Sequence, residues 1–250
     1  MTSEHNRQPV SSAGQSWFTT THWSVVLAAG QETSPQAAAA LEQLCRRYWY
    51  PLYVYVRRQG CPPPEAEDLT QAFFTRVLEK NYLGQVQREK GKFRSFLLAA
   101  LKHFMSDERD KERAAKRGGG QTFISLDAQS PEERYRLEPV NELDAEKIYQ
   151  RRWALTVLEQ AREGLREEYT RIGKAQLYDR LRIFEGEDPE APTYAELGAQ
   201  LGMTESALKS AAHRLRQRYH QLVREEIAQT VSSPAEIDEE IRYLISAING

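Results

Sequence analysis

Between Met203 and Arg224 five cationic side chains (Lys209, Arg214, Arg216, Arg218 and Arg224) stand against a single acid, Glu205. Cations at this density can neutralise phosphate, the main sequence-independent source of nucleic-acid affinity. How they are presented depends on the apolar residues between them. Leu208, Ala211, Ala212, Leu215, Tyr219 and Leu222 recur at the spacing of one helix face, so that stripe is expected to be buried. Lys209, Ser210, His213, Arg214 and Gln217 fall largely outside it, and these are side chains able to hydrogen-bond base edges. A shorter segment with Leu197 and Leu201 on one face precedes, and it stops at Gly202. Thr204 then stands where a side-chain oxygen caps the second helix. Gly198 fits a place where two backbones approach closely, and Gly202 fits a turn that needs a left-handed residue. This is the layout of a helix-turn-helix, whose second helix enters the DNA major groove. The competing reading is an ordinary αα-hairpin in a helical core.

A second basic stretch lies about a hundred residues upstream. From Gln87 to Arg117 ten Lys or Arg face five Asp or Glu, a local excess on a chain whose formal net charge is -2. Aromatic residues interleave with the bases at its start, the composition of a surface that stacks bases and follows a phosphate backbone; a solvated helix face is the plainer reading. Gly118 to Gly120 do not form a phosphate-binding loop, because no Gly-Lys-Ser/Thr follows and the preceding element is a charged helix. The triplet reads as a hinge.

The remaining elements are those that must position these two stretches. Residues 1–35 read as a polar leader followed by an aromatic segment in which Trp17, Phe18, Trp23, Val25 and Leu27 dock onto the first unit. Pro35 to Arg47 predicts a helix, Pro51 a restart after it, and the run Cys61 to Pro64 a break. A helix from about Glu65 puts Leu69, Phe73, Val77 and Leu78 inward, and the next puts Phe93, Phe96, Leu97, Ala100, Leu101 and Phe104 inward. An acidic connector with a short extended piece at Thr122 to Leu126 follows. A second helical unit begins near Ile148, with Trp153, Leu155, Leu158, Ala161 and Leu165 periodic, then Ile172, Leu177, Leu181 and Phe184 in a further helix. Beyond Ser232 to Pro234 an acidic helix aligns Ile237, Ile241, Leu244 and Ile248. The fold expected is all-α: two small helical domains, 36–118 and 148–231, joined by a flexible linker, 119–147, with an acidic C-terminal helix at 232–250.

No apolar run approaches the roughly 20 residues that span a bilayer, and the N-terminus lacks the order of a secretory signal, so a cytoplasmic protein without a membrane segment is expected. Cys45 and Cys61 suggest neither a disulfide framework nor a zinc site, and buried or idle thiols are expected. The sequence has no HExxH, GxSxG, paired Cys-His or P-loop arrangement, and neither an enzyme nor a cofactor or metal is expected.

Two basic helical blocks in this order resemble the bacterial sigma-70 family, in particular its short extracytoplasmic-function class. The stretch EAEDLTQAFFTRVLE is similar to the family's helix that grips the clamp of core RNA polymerase. GKFRSFLLAALKHFMSDERD is similar to its promoter-melting, minus-10-reading helix, and TYAELGAQLGMTESALKSAAHRLRQRY to its minus-35-reading helix-turn-helix. The resemblance covers roughly residues 36 to 231. It implies a sigma-2-like and a sigma-4-like domain, and the partners core RNA polymerase, promoter DNA and an anti-sigma factor. Asp68 and Gln71 match the polymerase-binding acid and amide, while the acid usual at the next position is here Ala72. Arg88, Lys90 and Lys92 fall where the family captures an unstacked promoter base, with Arg94, Lys102 and His103 along the following helix. Glu205, Ser206, Lys209, Ser210, His213 and Arg214 occupy the start of the recognition helix, and Arg216 and Arg218 would hold phosphate. Melting a promoter loses stacking of about 1 to 2 kcal/mol per base step, which a basic cleft with stacking surfaces can offset.

The long segment before the helix-turn-helix, the acidic linker and both terminal additions depart from the family's short members. The acidic tail helix is expected to pack on the C-terminal unit and to compete with DNA for its basic face. A helix-turn-helix regulator acting without core polymerase, the tail forming a dimer seam, is the principal alternative, although it leaves the block from Asp68 to Arg117 unexplained. An adaptor that binds polymerase without melting promoters is a further one.

Overall fold

Tyr48, Tyr50, Leu52, Tyr53, Val54, Tyr55 and Val56 are all buried, so the first helix, α1 (Pro35–Arg58), is enclosed around its circumference in its second half. That burial explains why the helix runs straight through Pro51, where the sequence predicts a restart. A mid-helix proline costs about 3 kcal/mol, whereas each fully buried Val or Leu contributes about 1.5–3 kcal/mol. Several such side chains outweigh one lost backbone bond. The structure, a computed structural model, describes residues 35–79, 92–115, 131–138, 144–182, 192–231 and 233–249, and every regular element among them is helical. The docking of Trp17 to Leu27, the extended piece at Thr122 to Leu126, and Phe184 lie outside the described residues.

Gly60, at φ 92°, turns the chain after α1. Helix α2 (Pro63–Glu79) opens at the proline pair, earlier than the expected Glu65, because proline is tolerated in a first turn. Only Glu65 of the three expected acids then lies in that turn. Phe73 and Val77 are buried as expected and Leu69 is half-buried. In α3 (Phe93–Ala115) the expected stripe of Phe93, Leu97, Ala100, Leu101 and Phe104 is buried, with Phe96 half-buried.

Part of the expected linker is an ordered short helix, α4 (Pro131–Arg136), docked on α1. The Arg57 guanidinium donates to Glu132 at 2.9 and 3.0 Å, and the Tyr53 hydroxyl donates to the same carboxylate at 2.9 Å. Helix α5 (Ala145–Arg171) follows, capped by Asp144, whose side chain accepts from the backbone N–H of Glu146 at 2.6 Å. At about 1.5 Å per residue it is ~40 Å long. It ends at Ile172, which the sequence assigns to an apolar stripe but which is exposed, because it falls in the turn before α6 (Ala175–Leu181).

The apolar interior is not parted at residues 119–147. One cluster unites α1, α2, α3 and the first half of α5 with Val223, Ile227, Ile237 and Leu244 from the C-terminal end of the chain. A smaller one gathers Leu165, Tyr178, Leu181, Leu197, Leu208, Ala211, Ala212 and Leu215, and the half-buried Tyr219 and Leu222 touch both. The physical reason is α5, whose apolar face runs its whole length and serves both clusters. Helix α7 (Tyr194–Leu201), helix α8 (Glu205–Ala228), a 3-10 turn (Pro234–Glu236) and helix α9 (Ile237–Asn249) complete the chain.

Candidate nucleic-acid interface

The geometry of the α7–α8 pair follows from its caps and its two glycines. The Thr193 hydroxyl accepts from the Glu196 N–H, while the Glu196 carboxylate accepts from the Thr193 N–H at 2.8 Å, a reciprocal capping box. Those bonds hold the Glu196 carboxyl below its usual value. Gly202 ends α7 in the left-handed region at φ 66°, and the Thr204 side chain caps α8 by accepting from the Ala207 N–H at 3.2 Å, both as the sequence predicts. A Cβ on Gly198 would stand 2.8 Å from the Met203 carbonyl oxygen, so the turn closes only because that residue has none.

On α8, Leu208, Ala211, Ala212 and Leu215 are buried, and Glu205, Ser206, Lys209, Ser210, His213, Arg214 and Arg216 are exposed. The predicted division of the helix into an inner and an outer face is thus present. Lys209 pairs with Glu205 one turn away at 2.6 Å, which raises its pKa. Arg216 donates to the Tyr194 hydroxyl at 2.7 Å, a neutral partner, and among the described residues no acid pairs with Arg214 or Arg216. Arg218 is placed differently. It lies between Glu168 at 2.6 Å and Glu225 at 2.9 Å, so its charge is committed to tying α8 to α5. The Glu168 bond pushes Arg218 further above its ordinary value, and Arg218 in turn lowers the Glu168 carboxyl.

The upstream residues divide in the same way. Asp68 is exposed and Gln71 half-buried on one side of α2, and His103 is exposed on α3. Lys102 is bound to Glu146 at the start of α5. Arg88 and Lys90 lie outside the described residues. Arg94 is 3% exposed, and Glu240 of α9, which is fully buried, takes its Nε at 2.8 Å and its Nη2 at 3.2 Å. Lys92 reaches the same carboxylate at 2.5 Å and Glu239 at 3.4 Å. Trp153 and Tyr243 lie against the guanidinium of Arg94, their ring centroids at 4.8 and 4.2 Å. In this arrangement Arg94 is not on an accessible surface.

The tail helix packs on α5 and α8, as expected of it. Its acids divide between two surfaces: Glu239 and Glu240 engage the upstream block, and Asp238 meets a base of α8, Arg224, at 2.5 Å. Glu239, Glu240 and Tyr243 are functional candidates that helix periodicity alone does not single out. A signal for them exists: Glu240 falls in the apolar register, three after Ile237 and four before Leu244, and a carboxylate there requires a buried cation.

An open cleft of 510 Å³ lined by Tyr50, Arg134, Arg151, Arg152, Glu138 and Glu159 is not a ready anion site, because its arginines already pair with the two glutamates. Cys61 is buried and Cys45 half-buried, both as free thiols; burial pushes Cys45 up to about 11. Among the described residues no His, Cys, Asp and Glu cluster is placed to hold a metal ion, and no helix is long and apolar enough to cross a membrane. Compared with protein-family models, with curated proteins and with solved structures, the chain matches none.

Proposed function

We propose that this protein is a sigma factor of the sigma-70 type that binds core RNA polymerase and directs promoter recognition, melting and transcription initiation. The observation that carries the reading is the outer face of α8. A helix-turn-helix closed by Gly198 and Gly202 presents Ser206, Lys209, Ser210, His213 and Arg214 to solvent, the donor and acceptor types that read base edges, with Arg216 beside them for phosphate. The resemblance of the upstream block supplies the polymerase surface, Asp68 and Gln71 on α2, and the minus-10 surface on α3. On this reading the two blocks act as two domains, sigma-2-like and sigma-4-like.

The alternative, a helix-turn-helix regulator acting without core polymerase, draws on one observation: Lys92 and Arg94 are occupied by α9 rather than open to DNA. Run-off transcription with purified core polymerase separates the two. Transcripts that start only when this protein is added support the sigma reading. Operator binding with no core-dependent initiation favours the regulator.

A further inference from the structure

We propose that helix α9 is an intramolecular clasp that occupies the Lys92–Arg94 site in place of a nucleotide and is displaced when single-stranded DNA takes that site. The inference rests on the reading of Lys92 and Arg94 as nucleic-acid contacts.

The chemistry of the contact is that of a nucleotide. Glu240 offers two anionic oxygens to the planar fork of Arg94, at 2.8 and 3.2 Å, and one of them also takes Lys92 at 2.5 Å. This is the geometry in which guanidinium and ammonium groups grip a phosphate. Tyr243 lays its ring against both cations, with the Arg94 carbon 4.2 Å and the Lys92 nitrogen 5.3 Å from the centroid, as a base ring would. Glu239 adds a second carboxylate at the rim. An anion and a π-face therefore come from one helix, on two residues three apart.

The contact is also suited to exchange. A buried ion pair is worth little net relative to its alternatives, but one partner removed alone leaves a buried charge uncompensated. Replacing carboxylate by phosphate leaves none. The remaining hold on α9 is the buried Ile237 and Leu244, the half-buried Ile241, Ala247 and Ile248, the Asp238–Arg224 ion pair at 2.5 Å and a hydrogen bond from Arg151 to the Ile248 carbonyl at 3.4 Å, while Glu239, Arg242 and Ile245 face solvent. The short 3-10 turn at Pro234–Glu236 joins it to α8.

The test uses the full chain and a fluorescent single-stranded oligothymidine as probe. Two variants loosen the clasp by different means, Glu239→Gln/Glu240→Gln by removing the anions and Tyr243→Ala by removing the ring without a change of charge. Glu163→Gln/Glu167→Gln on exposed α5 positions is the charge-matched control. If the clasp closes the site most of the time, both variants bind the probe about tenfold more tightly than the parent and the control does not, since apparent affinity scales with the open fraction. Hydrogen exchange on the parent chain provides a measurement free of variant folding: saturating probe should expose the amides of 237–249. Unchanged affinity in Tyr243→Ala, a control that tightens as much as the variants, or α9 amides still protected in the DNA-bound parent overturns the clasp while leaving DNA binding in place. If no form binds the probe, the clasp and the reading of Lys92 and Arg94 as nucleic-acid contacts fall together, while the outer face of α8 is tested separately by duplex promoter DNA. Displacement of α9 by DNA without core-dependent transcription keeps the clasp and sinks the sigma reading.

Discussion

Gly198 and Gly164 both lie in helices, yet an added methyl group meets opposite surroundings. At Gly198 it would stand 2.8 Å from a backbone carbonyl, and at Gly164 the nearest atom is the Leu222 Cδ2 at 4.0 Å. We predict that Gly198→Ala destabilises the chain by about 1–3 kcal/mol, the usual range for overpacking. Gly164→Ala should stabilise it by about 0.5–1 kcal/mol, the gain in helix propensity. Urea unfolding of the two variants checks both signs. On the outer face of α8, Lys209→Glu and Arg214→Glu should each weaken promoter DNA binding and lower the salt dependence by about one counterion for every phosphate no longer neutralised. Both positions are exposed, so the melting temperature should hardly move, and a titration at several salt concentrations reads the effect.

At the scale of elements, α2 and α8 expose separate surfaces, and the proposed function assigns them separate partners. Asp68 is exposed on α2, so Asp68→Arg is a surface change expected to alter stability by less than about 0.5 kcal/mol. It should lower affinity for core polymerase and leave isolated promoter DNA binding unchanged, as measured by core pull-down beside a DNA titration. Equal loss in both assays without a folding defect would contradict the two-surface division. The elements themselves were largely legible in the sequence, because helix periodicity, caps and turn glycines are local properties. Thr193, Gly198, Gly202 and Thr204 announce the α7–α8 turn, and the inward stripes of α2 and α3 follow from spacing alone. The local signals misled at Pro51, where burial from all sides overrides the proline, and at Ile172, where an apolar residue falls in a turn.

At the scale of the whole molecule, ion pairs join segments far apart in the chain. Glu132 is held below its usual value chiefly by its bond from Arg57, and Glu168 by its bond from Arg218. A carboxylate with a lowered folded value gives stability that is complete above the ordinary value of 4.5 and is lost as the pH falls through its folded value. Glu226 has the opposite sign, since burial raises it despite the pull of Arg47; the stability it gives is present below 4.5 and is lost as the pH rises through its raised value. We predict that Glu132→Gln and Glu168→Gln each flatten the acid limb of the stability profile, whereas Glu226→Gln reduces the loss at higher pH. Urea midpoints across about pH 3 to pH 7 read all three.

An all-helical chain, the inner and outer faces of α2, α3 and α8, and the α7–α8 pair with its caps and left-handed glycine are all written in the order of residues. Each of these depends on residues within about one or two helical turns of one another, and spacing carries that information. Packing in three dimensions decides that α5 lines both apolar clusters and that Arg218 serves Glu168 and Glu225. The same holds for Arg94, which is closed off by Glu240 and Tyr243. The Arg94–Glu240 contact joins residues 146 positions apart, and which cation meets which carboxylate is set by how the helices pack, not by any local period. A basic residue reads the same in sequence whether its partner is solvent, phosphate or the last helix of its own chain.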